Sequence, residues 1–153
     1  MIACGSHDGT TAGNLATDDD GGSAPPLSGV LETVLYFSDQ DRAEAFYSGV
    51  LGLRLLDKEP GRSLFYRAGS SVLLLFHPGA TRSGGKLPAH GATGSIHVCF
   101  QATPELYDSW KTHLRQNGVD ILHEAQWQDA SSFYFEDSEG NLLEIADADI
   151  WPR

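Results

Sequence analysis

The sequence predicts an α+β fold: two βαβββ modules whose strands form one curved mixed sheet, a cup with the helices outside. Three observations predict it. A strand–helix–strand–strand–strand pattern runs through residues 29–78 and again through residues 95–150. An offset of 65 residues carries Glu32 onto His97 and Ser38 onto Thr103. A glycine-rich linker without periodicity, residues 79–94, separates the halves. A chain of 153 residues suits one domain, or two small modules sharing a core, expected over residues 29–150.

Residues 1–28 read as a disordered tail. They are rich in Gly, Ser, Thr and Asp, and cannot bury enough apolar surface to offset the entropy of ordering. Val30 to Phe37 is rich in β-formers and reads as a strand. Ser38 stands three residues before Asp41 and is expected to cap a helix. Ala43, Phe46, Tyr47, Val50 and Leu51 then form one apolar helical face, with Gly52 placed to end it. Strands follow over Leu53 to Lys58, Ser63 to Arg67 and Ser71 to His77, divided by Pro60-Gly61 and Gly69-Ser70.

The second half repeats the order. Ser95 to Gln101 reads as a strand, and Thr103 caps a helix with Pro104 at its first position. Leu106, Trp110 and Leu114 make a core-facing stripe that Asn117-Gly118 terminates. Three strands close the module: Val119 to Glu124, Ser132 to Glu136 and Leu142 to Ala146. Glu139-Gly140-Asn141 reads as a tight turn.

Composition narrows the function. A formal charge of −11, from 21 acids against 10 bases, repels phosphate backbones and argues against a nucleic-acid partner. No apolar run approaches the length of a membrane span. Cys4 and Cys99 form neither a C-x-x-C pair nor a zinc spacing, so a reducing, cytoplasmic setting is expected. Met1-Ile2-Ala3-Cys4 is similar to the end of a bacterial lipoprotein signal, yet no charged or apolar segment precedes it. The alternative to the cytoplasmic reading is a lipid anchor on Cys4, should the true start lie upstream.

Three segments carry a family resemblance. They are residues 31–47 with Leu51-Gly52-Leu53, residues 94–100 (Gly-Ser-Ile-His-Val-Cys-Phe), and residues 133–145, which include Glu-Gly-Asn-Leu-Leu-Glu. Together they resemble the vicinal oxygen chelate superfamily, over about residues 29–148. That group includes glyoxalase I, extradiol dioxygenases, methylmalonyl-CoA epimerase, and the fosfomycin and bleomycin resistance proteins. The resemblance implies a metal held by the first and last strands of the modules. It carries ligand roles onto Glu32, His97 and Glu144. The remaining ligand position falls on Leu74, where glyoxalase I has a glutamate. That departure leaves three protein ligands. It also removes a carboxylate used as a base in glyoxalase-type isomerisation. With no obvious basic pocket for glutathione, it argues against a glutathione adduct as substrate. The resemblance further implies a homodimer of isologous symmetry.

Strand alternation supports the site independently. Glu32, Val34 and Tyr36 share one face, and His97, Cys99 and Gln101 another, while Leu35, Phe37, Val98 and Phe100 point to the helices. Two carboxylates in an apolar cup oppose each other and their own desolvation, and a divalent cation removes both objections. Two carboxylates and one imidazole with open positions suit Fe²⁺, Mn²⁺, Ni²⁺ or Zn²⁺. Tyr36, Cys99, Trp127 and Tyr134 are candidate substrate contacts around a planar ligand. His77, His90 and His113 are expected to be peripheral; His123 lies on a strand and lines the cup or, as the favoured reading, faces the surface. The expected function is metal-dependent lyase, isomerase or ring-cleaving dioxygenase chemistry on a small molecule with adjacent oxygens. The alternative is a non-catalytic drug or metabolite binding protein of the bleomycin-resistance type.

Overall fold

Both modules take the expected strand order in the computed structural model, which describes residues 24–151. In the first, β1 (Glu32–Tyr36) lies parallel to β4 (Ser71–Phe76), which runs antiparallel to β3 (Ser63–Ala68), itself antiparallel to β2 (Arg54–Glu59). The second repeats this with β5 (His97–Gln101), β8 (Leu142–Ala146), β7 (Ser131–Glu136) and β6 (His123–Gln126). The result is two open four-stranded mixed sheets, ordered β1-β4-β3-β2 and β5-β8-β7-β6. Among the described residues the ladders join strands within a module, so each module keeps its own sheet. The tail up to residue 23, and with it Cys4, lies outside the described residues. No helix among them is long and apolar enough to cross a membrane.

Period-two burial explains the core. Leu35 and Phe37 are buried while Glu32 is exposed, and Leu64, Tyr66, Leu73 and Leu75 repeat the pattern on the neighbouring strands. Phe133, Phe135, Leu143 and Ile145 do the same in the second sheet, and all of them join one hydrophobic cluster with Phe46, Tyr47 and Leu114. A one-residue slip of β1 would carry Glu32 into this core, so the register is strongly specified.

Local structure departs from expectation at several places. Asp39, not Ser38, caps α1 (Gln40–Glu44), its Oδ1 accepting from the N–H of Asp41 and of Arg42 at 3.1 Å. Ser38 is taken by another acceptor: its N–H and hydroxyl donate to Glu139 Oε2 at 2.7 and 2.6 Å. Beyond α1 the helix widens to a π-helical turn over Ala45–Val50, closed by Leu51 N–H donating to Phe46 O at 2.9 Å. Gly52 follows with φ +64°, the left-handed stop its position predicts.

The linker is not structureless at its start. His77 Nδ1 accepts from Gly79 N–H at 3.2 Å and Pro78 opens a short helix, α2 (Pro78–Arg82). After Thr103, whose side chain makes no capping bond, a 3₁₀ turn (Pro104–Leu106) leads into α3 (Tyr107–Gln116). Leu114 is buried there, but Leu106 is 50% exposed and Trp110 half-buried. Strand β6 starts at His123 rather than Val119, because Val119 N–H donates to Leu114 O and stays with the helix end.

A polar junction ties the modules together. Asp137, 7% exposed, accepts from Tyr47 hydroxyl at 2.6 Å and from Glu139 N–H, Asn141 N–H and Asn141 Nδ2 at 2.8 Å each. Arg42 adds a bond to Ser138 O at 2.7 Å. The turn at 137–141 therefore binds the first helix as well as reversing the chain, with Gly140 at φ +79°.

Burial, then the Asp137 carboxylate, raises the pKa of Tyr47 well above its ordinary 10.0. A group raised in the folded state contributes stability that is full below its unfolded pKa and is lost as pH rises. Above about pH 10 the unfolded chain releases this proton and the native one does not, costing about 1.4 kcal/mol per pH unit. Urea titrations from pH 9 to 11.5 are expected to show a shallower decline in Tyr47→Phe by that amount. Identical slopes in both proteins would refute the assignment.

Candidate functional site

The second sheet gathers chemistry on the face away from its core. Strand β5 exposes His97, Cys99 and Gln101 and turns Val98 and Phe100 toward the core. Register sets Glu144 directly between Cys99 and Tyr134, and His123 beside Tyr134. A row Cys99–Glu144–Tyr134–His123 thus crosses four strands.

Glu144 is the unusual member. It is 5% exposed, and its Oε1 is buried with no hydrogen-bond partner. Its Oε2 lies 3.3 Å from His97 Nε2. The other ring nitrogen, Nδ1, is 3.1 Å from Leu142 O. A carbonyl only accepts, so Nδ1 carries a hydrogen and a neutral ring points the Nε2 lone pair at the carboxylate. Two lone pairs at that distance need a proton or a cation between them. A carbonyl holding the far nitrogen is also how metal-binding imidazoles are oriented. The orphaned oxygen and the directed lone pair fit a divalent cation.

The neighbours are perturbed by the same group. Burial first, then the Glu144 carboxylate, push the Cys99 thiol up to about 12, so it stays protonated at neutral pH. For Tyr134 the Ser132 hydrogen bond lowers the pKa, but burial and Glu144 outweigh it and the net shift is upward. The Tyr134 ring sits 6.1 Å from that of His97 and 6.0 Å from that of His123. Trp127, 45% exposed, donates from Nε1 to Ser132 Oγ at 3.1 Å and stands at the end of this face.

The remaining candidates lie on the first sheet. Glu32 is exposed and registers with Val72; Leu74 registers with Val34 and Phe65. Among the described residues of one chain, no three His, Cys, Asp or Glu side chains form a group that could hold a metal. One chain thus joins His97 to Glu144 but does not bring Glu32 to them. Tyr36 is likewise apart, its hydroxyl 2.8 Å from His90 Nδ1.

Two histidines not counted among the site candidates lie beside them. His123 borders Tyr134, and His90 packs on Tyr36 and Phe76. The signal for His123 was its place opposite Tyr134 in the β6–β7 hairpin, which depends on the true start of β6. A groove of about 690 Å³ runs from His97 and Cys99 to Thr33, Val72 and Trp110, between the β5 edge and the first sheet.

A family model described as the Glyoxalase/Bleomycin resistance protein/Dioxygenase superfamily matches residues 29–145. The chain belongs to this superfamily. A solved lactoylglutathione lyase from Agrobacterium tumefaciens is 37% identical, with TM-score 0.78, over 82% of this chain and 98% of that one. A superfamily protein from Nocardioides is 20% identical, with TM-score 0.66, over 81% and 85% of the two chains. A fosfomycin resistance protein from Mesorhizobium loti is 18% identical, with TM-score 0.59, over 80% and 94%. The last two show the shared glyoxalase-superfamily fold and nothing finer.

Proposed function

We propose that this superfamily member is a metal-dependent enzyme acting on a small molecule with two adjacent oxygens. His97 and Glu144 of one chain hold the cation, together with Glu32 of a second copy in an isologous dimer. The observation that carries the reading is the buried Glu144 carboxylate, with Oε1 lacking a hydrogen-bond partner and Oε2 3.3 Å from His97 Nε2. When bound, Fe²⁺, Mn²⁺, Ni²⁺ or Zn²⁺ supplies Lewis-acid stabilisation of an enolate or catecholate.

The chain's own residues do the rest. Tyr134 and Trp127 present aromatic surface beside Glu144, and Tyr36 presents it on the sheet that bears Glu32. Cys99, protonated, lines the same face as a neutral contact. Leu74 puts hydrocarbon on the Glu32 face where glyoxalase I has a carboxylate, so a proton acceptor must come from elsewhere. We assign that role to the imidazole of His123, which pairs with Tyr134 on the Glu144 face and lies outside the ligand set. Similarity to the Agrobacterium lyase favours lyase or isomerase chemistry over ring cleavage. A glutathione adduct is not carried over, because Leu74 removes that base.

Metal analysis and mixing test this. Wild type is expected to bind one Mn²⁺ per chain by calorimetry, and Glu32→Ala and Glu144→Ala chains almost none. Co-expressed, the two variants should recover about one quarter of the sites, because half the dimers contain one intact pairing. Normal binding by Glu32→Ala, with about half the sites filled in the co-expressed mixture, removes Glu32 from the site. A metal-free wild type that still binds an aromatic ligand tightly favours the sequestering alternative.

A further inference from the structure

The first sheet carries a pair of cations with no carboxylate partner. Arg54 and Arg67 are direct cross-strand neighbours, and Arg67 registers in turn with Val72, and Val72 with Glu32. All four therefore share one face at one end of the sheet. Like charges directly opposite one another destabilise a ladder. In a chain with 21 acids and 10 bases, cations should find carboxylates easily. Lys58, Arg62, Lys111 and Arg115 do so. Among the described residues Arg54 and Arg67 do not, and Arg42, Arg82 and Lys86, which have no like-charged cross-strand partner, make no ion pair either. The hydrogen bonds of Arg67 run from one nitrogen, Nη1, to the carbonyls of Ser70 and Ser71 at 3.4 Å each, which leaves its other donors free. Asp57 registers with Phe65, one step along the same face, and makes no ion pair with either arginine.

We infer that Arg54 and Arg67 form a binding site for a planar or tetrahedral oxyanion, a carboxylate or phosphate, carried by the substrate. Guanidinium donors match such groups bidentately, and these two stand opposite each other on adjacent strands with neither paired to a carboxylate. Strand spacing sets Arg67 about 10 Å and Arg54 about 14 Å from Glu32 across the sheet. The substrate class is then a molecule with chelating oxygens at one end and an acid group several bonds away. This identification of the substrate rests on the proposed metal site; the anion site itself does not.

The experiment separates the two. The arginine Nε–Hε signals are followed by NMR during titration with inorganic phosphate, in metal-free protein. Saturable shifts confined to Arg54 and Arg67 are expected, and Glu32→Ala should keep them. Binding of catechol and of 3-(3,4-dihydroxyphenyl)propanoate is then compared in the Mn²⁺-loaded protein. Wild type should prefer the propanoate at least about tenfold, the low end for a charge-assisted bond. The Arg54→Gln, Arg67→Gln double variant should bind both alike, while Glu32→Ala weakens both and keeps their ratio. The double variant should melt no lower than wild type, since it relieves like-charge repulsion. Phosphate shifts that fail to saturate, or that spread equally to Arg62 and Arg115, overturn the anion site. Saturable phosphate shifts with no preference for the propanoate would mark free phosphate as the ligand and overturn the substrate assignment.

Discussion

Asp137→Ala is expected to lose about 3–5 kcal/mol of stability, the range for breaking a buried, hydrogen-bonded charge network. Four donors converge on this carboxylate: the Tyr47 hydroxyl, the N–H groups of Glu139 and Asn141, and the Asn141 amide. Each buried donor left without an acceptor costs about 1–3 kcal/mol, and water reaches few of them at a position only 7% exposed. The loss is not local. Tyr47 belongs to the first module and stacks on Phe46 and Tyr66 in the core, so freeing its hydroxyl loosens the contact between modules. Asp137→Asn should fall between, because an amide oxygen still accepts but its NH₂ opposes Asn141. Urea midpoints at neutral pH measure the effect. A change below about 1 kcal/mol in the alanine variant would mean that the Asp137 network adds little to the joining of the modules.

That junction also shows where sequence reading stops. Residues 137–141 are legible as a turn from Gly140 and its polar neighbours. Nothing local announces that Glu139 accepts from Ser38, 101 positions earlier. The same long-range bond explains the misassigned cap: Ser38 and Asp39 are both good caps, and the competing acceptor decides between them. Strand faces were legible because burial alternates at period two, so Leu35, Phe37, Leu143 and Ile145 fall into the core as read. The start of β6 was not, since Val119 and Ile121 are apolar but pack beside the helix end without a ladder. His123, read on a strand facing either the cup or the surface, is on β6 and exposed. For the site, the family resemblance singles out His97 and Glu144, and the 65-residue repeat adds weight to His97. The distance from Glu32 to them depends on how two sheets, and in the proposed dimer two chains, meet, which no periodicity encodes.

The second large effect concerns Glu144 and has opposite signs with and without metal. In chelator, Glu144→Leu is expected to be more stable than wild type by about 1–4 kcal/mol, as when buried charges give way to apolar residues of similar volume. The reason is the carboxylate's Oε1, buried on the face that Glu144 shares with Cys99 and Tyr134 and without a hydrogen-bond partner. With Mn²⁺ at a hundred times its dissociation constant, wild type gains about 2.7 kcal/mol by mass action. The leucine variant has lost a ligand and gains almost none, a larger effect than the roughly 10–100-fold weakening from removing an outer-shell partner. The stability gap should therefore narrow or invert between EDTA and Mn²⁺, read from urea curves of both proteins at one protein concentration. A structural Glu144, satisfied by an imidazolium at His97, predicts the reverse: the leucine variant is weaker in EDTA, and Mn²⁺ moves neither curve. The contrast isolates what the buried carboxylate is for, because a group kept only for packing would not be held at a cost that a cation alone removes.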